Sequence, residues 1–239
     1  TLLHFGKTLE KFLLEDGSES IRKEAENQFN ERLQQTLILA DVEKKIMDLV
    51  NAPANHKRPQ DLAAWAKESA EAYGYNANIL DKAACRETGL HALLSVNRGS
   101  EDGAQFIILE YKHDQAPEDG PTALVGKGVT FDTGGVSLKR PTNMHLMKSD
   151  MGGAAAVLAT LEAAARMQLP LHLVGIVPAT DNSVGTMSVK PRDVIQSYSG
   201  KTIEIIDTDA EGRLILSDGL AYAIKHFEPT QLVSIATLT

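Results

Sequence analysis

Short apolar runs alternate with helical segments from about residue 76 to the end of the chain, and this alternation restricts the fold more than any other feature of the sequence. The predicted strands are residues 76–80, 104–111, 122–126, 171–178, 202–206 and 231–236. The predicted helices between them are residues 82–87, 151–167 and 214–226. Because strands separated by helices are usually joined by crossovers, the sequence predicts an α/β fold whose central, largely parallel or mixed sheet is flanked by helices.

The first 75 residues show helical patterns without strands between them. Apolar residues at helical spacing cover residues 18–50, as one long helix or two, and the prolines that follow prevent continuation. A further helix is predicted over residues 59–73, because Pro59 suits a first helical position and Gly74 suits a helix end.

These patterns also predict the domain organisation. Residues 1–40 are expected to be an N-terminal remnant and linker helix, with a strand remnant at residues 2–5, and residues 41–239 a catalytic domain. Because a predicted strand lies directly before the end of the chain at Thr239, we expect the catalytic domain to lack its C-terminal part.

The composition argues against several classes of function. A net charge of −8 and a pI near 5.4 argue against a nucleic-acid partner. The single cysteine, Cys85, excludes an internal disulfide and a thiolate metal site. No apolar run approaches the roughly eighteen residues of a membrane span, and the start carries no signal-peptide pattern. We therefore expect no membrane partner and a cytoplasmic location.

Ionisable side chains concentrate in two clusters. The first falls within residues 122–150, where an apolar strand breaks into glycine-rich backbone that we expect to be irregular; its members are Lys127, Asp132, Lys139 and Asp150. The second consists of Asp207, Asp209, Glu211 and Arg213. Ligand sites of open α/β sheets collect beyond the carboxyl ends of the strands, so we expect the two clusters to meet there.

The residue types in these clusters favour metal chemistry. Carboxylates without histidine or cysteine suit Mg²⁺, Mn²⁺ or Zn²⁺. The four acids expected to take part carry a charge that two divalent ions would neutralise; they are Asp132, Asp150, Asp209 and Glu211. Two ions about 3.5–4 Å apart are a known means of activating water for hydrolysis. The charge thus suggests a two-metal site.

Simpler interpretations of the same residues stay open at this point. Asp150 could be the N-cap of the helix that follows it. Arg213 could serve only to pair with Asp209 or Glu211. The second cluster together with Asp218 also resembles a calcium-binding loop, although the residues before it predict a strand where an EF-hand needs a helix.

Two long segments resemble the signature regions of the leucyl aminopeptidase family, the cytosol aminopeptidases, of the aminopeptidase A and peptidase B type. They are VGKGVTFDTGGVSLKRPTNMHLMKSDMGGAAAV and DTDAEGRLILSDGLAYA. The stretches VNAPANHKRPQDLA and LLSVNRGSEDGAQFIILEY are similar to the same family, so the resemblance covers about residues 40–239. It implies a phosphorylase/hydrolase-like fold and hydrolysis of the N-terminal peptide bond of peptide substrates.

The resemblance also implies a role for each clustered residue. The ligands of a tightly held ion would be Lys127, Asp132, Asp150 and Glu211. The ligands of a more exchangeable ion would be Asp132, Asp209 and Glu211. Lys139 would hold the scissile carbonyl oxygen, and Arg213 would anchor a bicarbonate that shuttles the proton. Thr237 and Leu238 would contact the substrate.

Cofactors and partners implied by the resemblance are two divalent ions, Mn²⁺ or Zn²⁺, with bicarbonate, and a homo-hexamer. The family commonly has Asp where this chain has His145, which we expect to be non-catalytic, and Asn where it has Asp207, which makes the choice of metal less certain. Two alternatives from other classes are a non-catalytic assembly or regulatory protein and a Mg²⁺-dependent phosphoryl-transfer enzyme.

Overall fold

The computed structural model describes residues 19–238, with side chains from residue 23 onward. The predicted strand remnant at residues 2–5 lies outside these residues. The chain divides into two compact units, residues 1–43 and residues 44–239. A single helix, α1 (Glu19–Asn51), covers the region in which the sequence allowed one helix or two. None of the helices from residue 19 onward has the length and apolarity that crossing a bilayer requires.

Five further α-helices lie in the described part of the second unit. They are α2 (Pro59–Tyr73), α3 (Lys82–Thr88), α4 (His91–Val96), α5 (Gly152–Arg166) and α6 (Glu211–Phe227). Helix α2 begins with Pro59 at its first position and ends at Gly74, whose φ is 74°, as predicted. Helix α4 is not predicted by the sequence, because six residues are too short to show a helical period.

Six strands form one sheet in the order β1-β2-β5-β3-β8, with β4 also paired to β5. Their bounds are β1 (Asn76–Leu80), β2 (Gln105–Lys112), β3 (Thr122–Gly126), β4 (Gly128–Asp132), β5 (His172–Asn182) and β8 (Gln231–Ile235). The pairs β1-β2 and β2-β5 are antiparallel, whereas β3-β5, β3-β8 and β4-β5 are parallel. The predicted α/β fold with a mixed sheet is confirmed.

Strand β4 corrects the prediction of irregular backbone after β3. Strands β3 and β4 lie end to end along the same side of β5, the first against residues 173–176 and the second against residues 179–182. They are separated only by Lys127, whose N–H donates to the Ile235 carbonyl (3.0 Å) and whose carbonyl accepts from the Ala154 N–H (2.9 Å). A Cβ on Gly128 would lie 2.8 Å from the Pro178 carbonyl oxygen, so glycine permits this close pairing.

The central strands of the sheet are buried on both faces. Along β2, Phe106 and Ile108 belong to one buried apolar cluster and Ile107 and Leu109 to another, as alternation in a strand requires. The first cluster includes residues of α4 and α6, and the second includes residues of α2 and α5. Burial on both faces explains why the central strands are continuous apolar runs in the sequence.

The predicted strand at residues 202–206 does not join the central sheet. Strands β6 (Val194–Gln196) and β7 (Thr202–Glu204) form a separate two-stranded antiparallel sheet. The turn between them contains Gly200, with φ of 84°, whose N–H donates to the Ser197 carbonyl (2.9 Å). The second ionisable cluster therefore follows a short hairpin and not a strand of the central sheet.

Candidate active site

Lys127 lies at the break between β3 and β4 and is the centre of a buried charged group. Its Nζ lies 2.7 Å from Asp150 Oδ2 and 2.8 Å from Glu211 Oε1, and it donates to the Thr237 carbonyl oxygen at 2.7 Å. Only 3% of Lys127 is exposed. Because Lys127 lies at this break, its amine contacts one acid from each of the two clusters.

Lys139 joins the remaining two acids of the group. Its Nζ lies 2.9 Å from Asp132 Oδ2 and also forms an ion pair with Asp209. Asp132 ends β4, and its Oδ1 accepts from Asn182 Nδ2 (2.8 Å) and from the Gly134 N–H (2.9 Å). These two donors fix the orientation of the Asp132 carboxylate toward Lys139.

Asp150 does not act as an N-cap. It follows a 3-10 helix (Met144–Ser149), and the capping position of α5 is Met151, which makes no side-chain cap hydrogen bond. The hydroxyl of Thr237 donates to Asp150 Oδ1 at 2.6 Å, while Oδ2 pairs with Lys127. The simpler interpretation of Asp150 is therefore wrong, because its carboxylate faces the lysine and not the helix amides.

The second cluster is held against the first by Thr208. A 3-10 turn (Thr208–Ala210) leads directly into α6. The Thr208 hydroxyl donates to the Gly134 carbonyl (2.7 Å) and accepts from the Ser137 N–H (2.8 Å). Asp207 Oδ1 accepts from the Asp209 N–H at 2.9 Å, so Asp207 stabilises the turn.

Burial makes the charged forms of the acids in this group unfavourable, and a bound cation would stabilise them. Burial raises the pKa of the Glu211 carboxyl to about 7, and the neighbouring Asp132 carboxylate adds to the effect. Burial likewise raises the pKa of Asp150. Burial lowers the pKa of Lys127, but Glu211 and Asp150 outweigh it and the pKa lies above its ordinary value. Burial also lowers the pKa of Lys139, and its two carboxylate partners reverse this.

The donor set fits a divalent ion. Ligand oxygens of Asp132, Asp209 and Glu211 all lie within 4.8 Å of one another. The Oε2 atom of Glu211 is buried and has no hydrogen-bond partner among the described residues, whereas Oε1 pairs with Lys127. Because an unsatisfied buried carboxylate oxygen is costly, this atom marks a position where a cation would bind. Four acids against two lysines also leave negative charge to neutralise.

A cavity of about 280 Å³ opens over the charged group. Its lining consists of Lys127, Asp132, Lys139, Met147, Ser149, Asp150, Asp209, Glu211, Thr237 and Leu238. All the predicted metal ligands, Lys139 and both predicted substrate residues therefore border one space. Asn182 and Thr208, which orient this group, were not among the predicted residues. Asn182 could have been found from the sequence, because it ends β5 and ligand sites of α/β sheets lie at the carboxyl ends of the strands.

Arg213 is the predicted site residue that the structure does not bring to this cavity. It is exposed and borders a separate depression formed with residues 203–207. Within the described part of the chain it forms no ion pair with Asp209 or Glu211, so the pairing alternative is wrong. His145 is also exposed and outside the cavity lining.

The calcium-loop alternative is wrong as well. Asp218, which would supply the last ligand, lies inside α6 and is fully buried. Its carboxylate accepts from the backbone N–H groups of Leu93 (2.9 Å) and Tyr198 (2.8 Å). Asp218 thus anchors two neighbouring segments to α6 and is not available to a loop ligand.

Comparison with known proteins gives one consistent result. Residues 45–239 match the model described as the cytosol aminopeptidase family, catalytic domain. A probable cytosol aminopeptidase of Chlorobaculum tepidum is 49% identical over 203 residues, which cover 85% of this chain and 40% of that protein. A probable cytosol aminopeptidase of Bacillus licheniformis is 48% identical over 191 residues, 80% of this chain and 38% of that protein.

Solved structures agree with the sequence relatives. The cytosol aminopeptidase of Coxiella burnetii superimposes with a TM-score of 0.81 at 37% identity, covering 89% of this chain and 45% of that one. The leucyl aminopeptidase of Trypanosoma brucei, solved with actinonin, gives a TM-score of 0.82 at 35% identity, covering 84% of this chain and 39% of that one. The chain spans less than half the length of these proteins.

Proposed function

Since this chain belongs to the cytosol aminopeptidase family, we propose that it carries the catalytic centre of a two-metal aminopeptidase that removes the N-terminal residue of peptides. The observation that supports this most directly is the buried Glu211 Oε2, which has no hydrogen-bond partner within residues 19–238 and belongs to a group of three carboxylates whose ligand oxygens lie within 4.8 Å of one another. The aminopeptidase A and peptidase B assignment stays a prediction.

The two predicted ligand sets share two residues. Lys127, Asp132, Asp150 and Glu211 would hold one ion. Asp132, Asp209 and Glu211 would hold the more exchangeable one, so Asp132 and Glu211 would belong to both ligand sets. When bound, two divalent ions, Mn²⁺ or Zn²⁺, would lower the pKa of a water molecule and polarise the substrate carbonyl. Lys127 would bind through its neutral amine, which requires it to release a proton.

Lys139 is the residue we assign to the scissile carbonyl. About 23% of its side chain is exposed, so its ammonium group can reach a substrate in the cavity while it stays anchored to Asp132. In the tetrahedral state the charge on the carbonyl oxygen grows, and a fixed cation stabilises that state more than the substrate. Lys139 therefore contributes to the rate more than to binding.

The proton shuttle is assigned to a bicarbonate held by Arg213. The guanidinium offers a fork of donors suited to a planar anion, and Arg213 is the third residue of α6, where backbone N–H groups remain free. The exposed side chain would have to turn from its depression toward the cavity. This assignment rests on the family resemblance and on the chemistry of the arginine.

The substrate would lie between the charged group and the end of the described chain. Thr237 donates to Asp150 and accepts from Lys127 through its carbonyl, so its backbone is fixed beside the proposed metal ligands. Leu238 and Met147 give this cavity an apolar side for a substrate residue. A homo-hexamer and a cytoplasmic location are the further expectations that we carry over from the family.

Hydrolysis of a leucine anilide by the purified protein tests the proposal. We expect turnover with Mn²⁺ or Zn²⁺, loss of turnover with a chelator, and a strong decrease in Asp209→Asn. Added bicarbonate should raise the rate of the wild type but not of Arg213→Ala. If no metal supports hydrolysis, the peptidase assignment is wrong, and the assembly or phosphoryl-transfer alternative takes its place.

A further inference from the structure

A second cavity, which we call the basic cavity, lies away from the catalytic group. It has a volume of about 470 Å³ and lies between helices α3 and α4 and the 183–196 region. Its lining consists of Lys82, Arg86, His91, Leu94, Ser95, Arg98, Met187, Ile195 and Gln196. None of these residues borders the catalytic cavity.

The charge of this lining differs from that of the protein as a whole. Lys82, Arg86 and Arg98 are cationic, and the lining includes no acid, although the chain carries a net charge of −8. Among the described residues, none of the three forms an ion pair. Asp193 is within the electrostatic reach of Arg98, but its ion pair is with Lys190 (3.3 Å) and it is outside the lining. Three cationic residues that border one cavity without an acid in its lining favour an anionic ligand.

The basic cavity also has an apolar part. Leu94 and Ile195 are partly exposed to it, and Met187 is 60% exposed at its border. A large exposed apolar side chain beside arginines matches a ligand with both an anionic group and a carbon skeleton.

Buried hydrogen bonds hold the walls of the basic cavity where they join the core. The buried Asp218 holds the N–H groups of Leu93 on α4 and of Tyr198 after β6. Asn97 Nδ2, at the end of α4, donates to Thr180 Oγ1 on β5 at 3.0 Å and to the Asp102 carbonyl at 2.8 Å. A cavity formed in advance costs less ordering on binding, so a small ligand can bind it with useful affinity.

We propose that the basic cavity binds a small organic anion that carries two or more negative charges and a short apolar part. Its volume is in the range of about 300–1,000 Å³ that small-molecule sites occupy. The anionic group would contact Arg86, Arg98 and Lys82, and the carbon part would contact Leu94 and Ile195. Phosphate esters and polycarboxylates share this chemistry, and the probes below distinguish them.

Isothermal titration of the purified protein tests this inference with three probes: inorganic phosphate, phenyl phosphate and citrate. We expect saturable binding of phenyl phosphate or of citrate, weakened at least 10-fold in Arg86→Gln and in Arg98→Gln. Lys67→Gln is the matched control, because Lys67 is exposed on α2 and outside the basic cavity. Far-UV circular dichroism checks that each variant is folded.

Four results would overturn the proposal. The first is that none of the probes binds saturably at concentrations up to about 10 mM, roughly ten times a dissociation constant of about 1 mM. The second is an equal loss in Lys67→Gln, which would indicate nonspecific attraction. The third is binding that Lys139→Gln removes and Arg86→Gln leaves intact, which would place the anion in the catalytic cavity. Phenyl phosphate binding no tighter than inorganic phosphate would exclude the apolar contact.

Discussion

The Nζ of Lys127 lies 2.8 Å from Oε1 of Glu211, and the two side chains are 4% and 2% exposed. Lys127 comes from the break between β3 and β4, and Glu211 begins α6. The pair therefore connects the two ionisable clusters. Glu211 depends on this pair more than Lys127 does, because without Lys127 its buried carboxylate would lose its counter-charge, whereas Lys127 also pairs with Asp150.

Lys127→Met tests this relationship. We expect a loss of about 3–5 kcal/mol in the free energy of unfolding in the presence of chelator, because Glu211 and Asp150 lose their counter-charge. Urea unfolding measures the loss. Adding Glu211→Gln to Lys127→Met should restore part of the stability by removing one unpaired carboxylate. A Lys127→Met variant as stable as the wild type would show that the pair does not support the fold.

Lys139→Ala should reduce kcat on a leucine anilide by about 10²–10³-fold, the magnitude typical of a lost oxyanion partner. The midpoint of urea unfolding should change less than in Lys127→Met, because Asp132 keeps its hydrogen bonds from Asn182 and the Gly134 N–H and Lys139 is partly exposed. Lys201→Ala, an exposed lysine outside the cavity, is the control. Wild-type turnover in Lys139→Ala would refute the assigned role.

Asn182→Ala removes the side-chain donor that orients Asp132. Loss of a group that holds a metal ligand typically weakens metal affinity about 10–100-fold. Titration with Mn²⁺ or Zn²⁺ measures the affinity directly, without a substrate. Asn78→Ala is the control, because Asn78 is exposed on β1. An unchanged affinity in Asn182→Ala would show that Asp132 is not a ligand oriented in this way.

Because Lys57 is buried, we expect the free energy of unfolding to depend on pH. It is fully buried, and its Nζ donates to the carbonyls of Val50 (3.1 Å) and Lys148 (2.5 Å). Burial, and then the charge of Lys148, lowers its pKa from 10.5 to about 8. Below pH 8 the folded protein therefore holds a charged Lys57 at a cost. As the pH rises from about 8 to 10.5, the folded state loses this proton before the unfolded state, so the cost decreases.

Lys57→Met checks this sign. The difference in the free energy of unfolding between Lys57→Met and the wild type should favour the variant most below pH 8. Between pH 8 and 10.5 the free energy of unfolding of the wild type should rise relative to that of the variant. Urea midpoints at three pH values measure the difference. Lys67→Met, at an exposed position, is the control. A constant difference for Lys57→Met would contradict the lowered pKa.

Gly153 is a position where only glycine fits. A Cβ there would lie 2.0 Å from the Ile235 carbonyl oxygen and 2.9 Å from the Lys127 N–H nitrogen. Although alanine favours a helix, Gly153→Ala should lower the free energy of unfolding by about 1–3 kcal/mol, as overpacking does. Gly103→Ala, whose Cβ would meet nothing nearer than 3.7 Å, should be close to neutral in the same urea experiment.

Local patterns in the sequence predict most of the elements. The helix from Pro59 to Tyr73 and the strand from Asn76 to Leu80 agree with their predicted bounds, because proline, glycine and apolar periodicity act within a few residues. The two clusters of ionisable residues are also evident, because residue type and spacing carry the signal for metal chemistry.

The sequence by itself thus determined most of the strand and helix order, although not α4 or β4, and the ionisable residues of the charged group. Only the tertiary structure decided that β4 continues along β5 beyond β3, that β7 leaves the central sheet, and that Arg213 faces a separate depression. It also decided that Glu211 Oε1 pairs with Lys127, whereas Oε2 has no hydrogen-bond partner in the described part of the chain. Strand pairing and side-chain contacts join residues distant along the chain, so local propensity cannot specify them.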